Sequence, residues 1–295
     1  MAGRDWVEWH ADYDVAGSSL ARRLRVVRGF LGRALDELGE SGQLVVSICA
    51  GDGRDVLPLL AERWGRAEER QADEWRPAEG GRPAEGGRPA GDGARRAGDG
   101  ARRAGDGARR AGDGARRAGD GARRAGDGAR RQGDSAQQAG DGERRAGGGG
   151  PRAVLIEFDP ELAGRARRAA HELGLGGVEV RVGDAGDRAT YDGVGRADLF
   201  LACGVFGNVS DHDMRRTVAA LPVLLRDGAV VVWTRGRGDG GRDCGQEVRA
   251  EFRRAGFEEL AFAAPDDARF RVGMCRWVGE ARDGEELPAR LFTFR

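Results

Sequence analysis

The sequence contains no lysine. Its 295 residues carry 49 arginines against 49 acidic residues, so the formal charge is zero. Lysine-free, with abundant Arg, Ala and Gly, it reads as GC-rich coding bias, not as a demand for arginine chemistry. The zero hides an asymmetry. Residues 76–149 hold 17 Arg and 11 Asp or Glu, a net of +6, and the remainder is −6. A mildly acidic body makes polyanion binding a poor default, and no nucleic-acid partner is expected. The four cysteines, Cys49, Cys203, Cys244 and Cys275, form no close pair. That excludes a zinc pattern or a disulfide framework, and no metal site is expected. Cys49 and Cys203 sit in apolar runs and read as small buried hydrophobes. No apolar run approaches the ~20 residues of a membrane span. The opening MAGRDWVEWHADYD lacks the apolar core of a secretory signal. A reducing, cytoplasmic setting is the expectation.

One absence is local. Residues 76–150 contain no Val, Ile, Leu, Met, Phe, Trp or Tyr. RPAEGG occurs twice from 76 to 87, AGDGARR six times from 90 to 131, and two decayed copies follow. A segment with nothing apolar to bury cannot offset its ordering entropy. Two glycines in every seven residues oppose a coiled coil, and Gly does not fall at every third position as collagen requires. Each Asp offsets one of two Arg, and no aromatic residue is present to stack on a base, so an RNA tether is disfavoured. The expected organisation is therefore an N-terminal helix and the first part of a domain over 1–65. A flexible, slippage-expanded insertion follows over 66–150, and the remainder of the domain covers 151–295. Without the insertion 210 residues remain, a normal size for one α/β domain.

Apolar spacing predicts helices over 18–38, 56–63, 161–173, 211–225 and 247–255. Strands are predicted over 44–48, 153–157, 178–182, 198–203 and 229–234, with a final hairpin of 270–278 and 291–294. Alternating strands and helices give a mostly parallel α/β sheet, helices on both faces, and an antiparallel edge.

In such a sheet the ligand lies beyond the carboxyl ends of the strands. The first strand is followed by Cys49-Ala50-Gly51-Asp52-Gly53-Arg54-Asp55. This glycine turn lets backbone approach a ligand before a helix start with free N–H groups. The second is followed by Glu157-Phe158-Asp159-Pro160, where a carboxylate can accept both hydroxyl protons of a ribose. The third is followed by Gly183-Asp184-Ala185, suited to an adenine amino group. The fourth is followed by Cys203-Gly204-Val205-Phe206-Gly207-Asn208, a turn facing the reacting end. Each has a plainer reading. Glu157 and Asp159 can enter a helix, Asp184 can form a turn, and Asp52 and Asp55 can cap a helix as readily as contact a ligand. Asn208 can cap or turn the chain.

In this order, VVSICAGDGRD, VLIEFDPELAGRAR, VRVGDA and ADLFLACGVFGN resemble the successive motifs of class I S-adenosylmethionine-dependent methyltransferases. WHADYDVAGSSLARRLRVV and ARLFTF resemble a bacterial group of that family. The resemblance implies a Rossmann-like seven-stranded sheet with an antiparallel last strand. It implies S-adenosyl-L-methionine as cofactor and an unidentified small-molecule methyl acceptor. Ala50, Gly51 and Gly53 would lie under the methionine part. Glu157 would bind the ribose, Phe158 would pack on adenine, and Asp184 and Ala185 would bind its edge. Cys203 and Gly204 would lie beside the sulfonium. Two positions depart from the family: Ser47 stands where an acidic residue is usual, and Cys49 where Gly is. Asp52 is the expected substitute for the missing acid at the cofactor's amino group.

His10, His212 and Asn208 are the catalytic candidates, the two histidines as proton acceptors near their ordinary pKa of ~6.5. His171 reads as a surface residue. Trp6, Trp9 and Tyr13 read as a lid or as packing. Two rival functions remain open. A nicotinamide-dependent oxidoreductase would use Gly51 and Gly53, but Val56 stands where its third glycine belongs. A non-catalytic cofactor-binding scaffold would use the Arg-rich insertion to hold a partner.

Overall fold

The computed structural model describes residues 10–39, 43–74, 151–238, 243–280, 282 and 284–295. The repeat region from residue 75 to 150 lies outside the described residues, as do Trp6 and Trp9. Seven strands form one sheet: β1 (Leu44–Ile48), β2 (Arg152–Glu157), β3 (Val178–Val182), β4 (Ala197–Ala202), β5 (Leu225–Gly236), β6 (Phe257–Ala263) and β7 (Phe270–Trp277). Their order is β3-β2-β1-β4-β5-β7-β6. The first five are parallel, and β7 runs antiparallel to both β5 and β6. Among the described residues five α-helices of ten or more residues accompany them: α1 (Ser19–Leu38), α2 (Leu57–Glu74), α3 (Pro160–Glu172), α4 (Asp211–Ala220) and α5 (Cys244–Arg254).

The sheet is apolar on both faces, as central parallel strands require. Every residue of β1 is buried. Side chains alternate between faces with period two. Val46, Ile48, Val154, Ile156, Phe200 and Trp233 enter one core with Met214 and Val218 of α4 and Val248 and Phe252 of α5. Val45, Leu155, Leu199, Leu201 and Val232 enter the other with Val27 and Leu31 of α1, Leu57 and Leu60 of α2, and Ala166 of α3. Side-chain caps fix where helices begin. Ser18 Oγ accepts the Ala21 N–H at the head of α1, and Asp159 accepts those of Glu161 and Leu162 at the head of α3.

Three expectations shift. Helix α2 runs to Glu74, not to 63, as the good helix formers of Arg66–Glu74 allow. Strand β6 was not anticipated: Glu258 and Glu259 interrupt its apolar pattern, which an edge strand tolerates. Residues 291–294 are not a hairpin strand. Their Phe294 forms an isolated bridge to Val209, and the hairpin partner of β7 is β6. Among the described residues no helix is long and apolar enough to cross a membrane.

The seven-residue β5–β7 register includes one close approach. Trp233 lies opposite Gly273, and a Cβ at 273 would fall 2.2 Å from the indole. The indole cannot retreat, since it is fully buried and stacked on Phe252 at 5.8 Å between centroids. Gly273→Ala is expected to cost about 2–3 kcal/mol through overpacking. Urea unfolding checks this; an unshifted midpoint would show slack around Trp233.

Candidate active site

Because β3, β2, β1 and β4 are neighbours in that order, the four predicted strand exits fall side by side. At the β1 exit the backbone turns left-handed three times within five residues, with φ of +52° at Cys49, +58° at Gly51 and +75° at Gly53. Cys49 is the sole non-glycine with positive φ among the described residues, at the position where the resemblance expects Gly. The Gly53 N–H closes the turn on the Ala50 carbonyl at 2.9 Å. Gly51 has no room for a side chain: a Cβ there would lie 2.1 Å from His10 Cε1.

Glu157 ties this turn to the next strand. Its Oε2 accepts the Gly51 N–H at 2.7 Å and its Oε1 the Asp159 N–H at 2.9 Å. The residue is buried, and burial raises its carboxyl above the usual range. Phe158, beside it, is 66% exposed, an unusual fate for a ring. Asp159 is occupied as the α3 cap. One strand further, Asp184 Oδ1 accepts the Gly186 N–H at 2.8 Å and its Oδ2 pairs with Arg290 at 2.6 Å. Ala185 is buried, and its carbonyl accepts the Tyr191 hydroxyl at 2.7 Å.

At the β4 exit, the Gly204 N–H donates to Thr234 Oγ1 at 2.8 Å, and the Asn208 amide donates to the Gly204 carbonyl at 2.6 Å. Asn208 therefore shapes this turn. Burial pushes the Cys203 thiol up, which keeps it neutral. His212 stands on the first turn of α4 with its side chain 80% exposed, 3.5 Å from Asp213. The C-terminal segment joins the outer exits. The Leu291 N–H donates to the Gly186 carbonyl at 2.8 Å, and the Arg295 N–H to that of Asn208 at 3.0 Å. Arg290 belongs to this strap. Its only sequence signal was the family-like ending ARLFTF.

The N-terminal segment is fastened over the β1 turn. Arg54 bonds Asp52 through Nε at 2.9 Å and Nη2 at 2.5 Å, and reaches Asp14 at 3.0 Å. Its guanidinium lies 4.9 Å from the centre of the Tyr13 ring, whose hydroxyl also accepts from Arg23. His10 meets Tyr13 edge-on at 5.4 Å. Burial lowers the His10 pKa, so the imidazole is neutral at pH 7. For Asp52, burial acts upward but the Arg54 guanidinium outweighs it and holds the carboxyl low. Asp55 differs. Its Oδ1 is buried with no hydrogen-bond partner among the described residues, and burial raises its pKa from 3.8 to about 6. Among the described residues the structure gathers no cluster of metal-ligating side chains.

The Asp55 shift has a stability sign. Its folded-state pKa lies above the unfolded value, so its favourable state holds below pH ~4 and is lost as pH rises through about 6. A shift of roughly two units corresponds to about 3 kcal/mol. Asp55→Asn is expected to stabilise the protein by about 2–3 kcal/mol at pH 8 and by little at pH 4. Urea curves at both pH values check it; a gap independent of pH would contradict a buried, titrating carboxyl.

No protein-family model and no curated protein matches this sequence. Solved structures do resemble the fold. The magnesium protoporphyrin IX methyltransferase of Synechocystis, solved with bound SAM, is 10% identical over 92% of this chain and 90% of its own, with a TM-score of 0.50. An O-methyltransferase family protein of Burkholderia thailandensis is 10% identical over 89% of this chain, with a TM-score of 0.47. This chain spans 57% of that protein's length. The architecture described above is the Rossmann-like fold found in S-adenosylmethionine-dependent methyltransferases.

Proposed function

We propose that this protein transfers a methyl group from S-adenosylmethionine to a small-molecule acceptor. One observation carries the reading: Asp184, Glu157, the Gly51 turn and the Cys203–Gly204 turn stand at four adjacent strand exits. Three inter-strand spacings span about 14 Å. That row is longer than a nucleoside and suits a nucleoside carrying an amino-acid chain. Exposed Phe158 supports the fit, since a ring held in water beside Glu157 offers a stacking face for adenine.

In this role Glu157 accepts the ribose hydroxyls with the lone pairs that Gly51 and Asp159 leave unused. Asp184, held by Gly186 and Arg290, accepts the adenine amino group, and Ala185 follows it along the adenine edge. Ala50, Gly51, Asp52 and Gly53 form the floor under the methionine part, and Cys203 and Gly204 flank the sulfonium. The bound cofactor supplies an activated methyl on a good leaving group, so the protein's task is alignment of the acceptor. His10, neutral and packed on Gly51, can take a proton from an acceptor hydroxyl or amine. Asn208 positions the Gly204 turn, and His212 reaches only an acceptor lying over the start of α4. The domain reading belongs to the same proposal: one methyltransferase domain, interrupted after α2 by the Gly/Ala/Arg/Asp repeat.

Calorimetry with S-adenosylhomocysteine tests this. Micromolar binding is expected. Phe158→Ala is expected to weaken it about tenfold or more, since base–aromatic stacking contributes about 1–3 kcal/mol, while thermal stability stays unchanged. Undiminished affinity in that variant would remove adenine from this position. Deleting residues 78–149 is expected to leave affinity and thermal midpoint as they are; a lost partner or lost binding would favour the scaffold reading instead.

A further inference from the structure

The C-terminal segment pairs with the turn after β3. Asp187 and Arg290 form an isolated antiparallel bridge. Beside it the Arg188 N–H donates to the Ala289 carbonyl at 3.2 Å, and the Leu291 N–H to the Gly186 carbonyl at 2.8 Å. The approach leaves residue 186 no room for a side chain, since a Cβ there would lie 2.2 Å from the Phe292 carbonyl oxygen. Leu291 and Phe292 are buried, and the Leu291 carbonyl accepts from Arg216 Nε at 2.9 Å and from Thr217 Oγ1 at 3.2 Å. The backbone that carries Arg290 is therefore held by the β3 exit on one side and by α4 on the other. From there Arg290 Nη2 reaches Asp184 Oδ2 at 2.6 Å, and its Nε lies 3.4 Å from Thr293 Oγ1.

The two side chains of this ion pair are 41% and 34% exposed, and a pair so open to water contributes little to stability. Its effect is on direction. Asp184 Oδ1 already accepts the Gly186 N–H at 2.8 Å, so Arg290 fixes the second oxygen and with it the plane of the carboxylate. Each carboxylate oxygen has two acceptor positions, and one on each stays open. A carboxylate held this way presents acceptors alone. It attracts the amino group of a 6-aminopurine and repels the carbonyl oxygen of a 6-oxopurine, an acceptor set against acceptors. Without Arg290 only one oxygen is anchored and the carboxylate can turn away from either base. We propose that Arg290 is a positioning residue which, acting through Asp184, makes the site select a 6-aminopurine over a 6-oxopurine. The assignment rests on the methyltransferase reading and adds to it a residue, outside the four strand exits, that sets base specificity.

The test compares two ligands that differ at one atom of the base. S-adenosylhomocysteine carries the 6-amino group, and S-inosylhomocysteine has a carbonyl oxygen in its place. Both are titrated calorimetrically into wild-type protein, Arg290→Ala, Arg290→Lys, Asp184→Asn and the double variant Asp184→Asn/Arg290→Ala. Wild-type protein is expected to prefer S-adenosylhomocysteine by about tenfold or more. Arg290→Ala is expected to lose most of that preference through weaker S-adenosylhomocysteine binding, with S-inosylhomocysteine bound as before and the thermal midpoint little changed. Arg290→Lys, which keeps a donor and the charge, is expected to recover part of it. In the Asp184→Asn background, removing Arg290 is expected to change neither affinity, because a residue that acts through another has no effect once that other is gone. Equal losses for both ligands in Arg290→Ala, an undiminished preference there, or a further loss in the double variant overturns the proposal and leaves the cofactor reading standing. Wild-type protein that binds neither ligand overturns both.

Discussion

The contact between Glu157 and the Gly51 N–H organises the site. Beside it, the Ala50 N–H on the Ile156 carbonyl is the backbone link between the β1 turn and β2. The Glu157 carboxylate adds a side-chain bridge, because its second oxygen is fixed on the Asp159 N–H, which heads α3. The bond is short and out of water, where a charge-assisted hydrogen bond is strong. Its cost is the burial that raises the Glu157 pKa, offset by the two backbone donors. Two straps then meet this centre. The N-terminal turn reaches it through His10 on Gly51 and Arg54 on Asp52, and the C-terminal segment through Arg290 on Asp184. The frame is thus held from its N-terminal side and its C-terminal side together.

The parts legible from sequence were those written locally. A strand, a turn residue and a helix cap occupy consecutive positions, so Gly51, Glu157 and Asp184 could be placed at strand exits before any contact was known. Contacts between distant residues were not legible. Asp184 and Arg290 are 106 residues apart, and nothing in ARLFTF says which carboxylate its arginine meets. Edge strand β6 escaped because Glu258 is exposed and Glu259 pairs with Arg249 of α5, so the strand carries no apolar alternation. Asp52 and Asp55 show the limit most clearly. They are the same residue type three positions apart, and only the direction of the Arg54 side chain separates them. One carboxylate is paired and acidic, and the other has a buried oxygen with no hydrogen-bond partner among the described residues.

The positive φ at Cys49 fits the same account. A side chain in the left-handed region costs about 1–2 kcal/mol, and glycine would avoid it. The turn is held there regardless, by the Ala50 N–H on the Ile156 carbonyl and by Glu157 on Gly51. Strain at one residue is tolerated where neighbouring bonds over-determine the backbone.

Helix α2 ends at Glu74 and β2 begins at Arg152, so the repeat joins the domain on the α2-to-β2 crossover. Crossovers of this kind meet a parallel sheet at the amino ends of its strands, whereas the candidate site occupies the carboxyl ends. Closing a longer loop costs only logarithmically more. At this length one extra copy of AGDGARR adds less than about 0.1 kcal/mol. By that scaling, a connection of this length between α2 and β2 can gain or lose a repeat with little thermodynamic consequence.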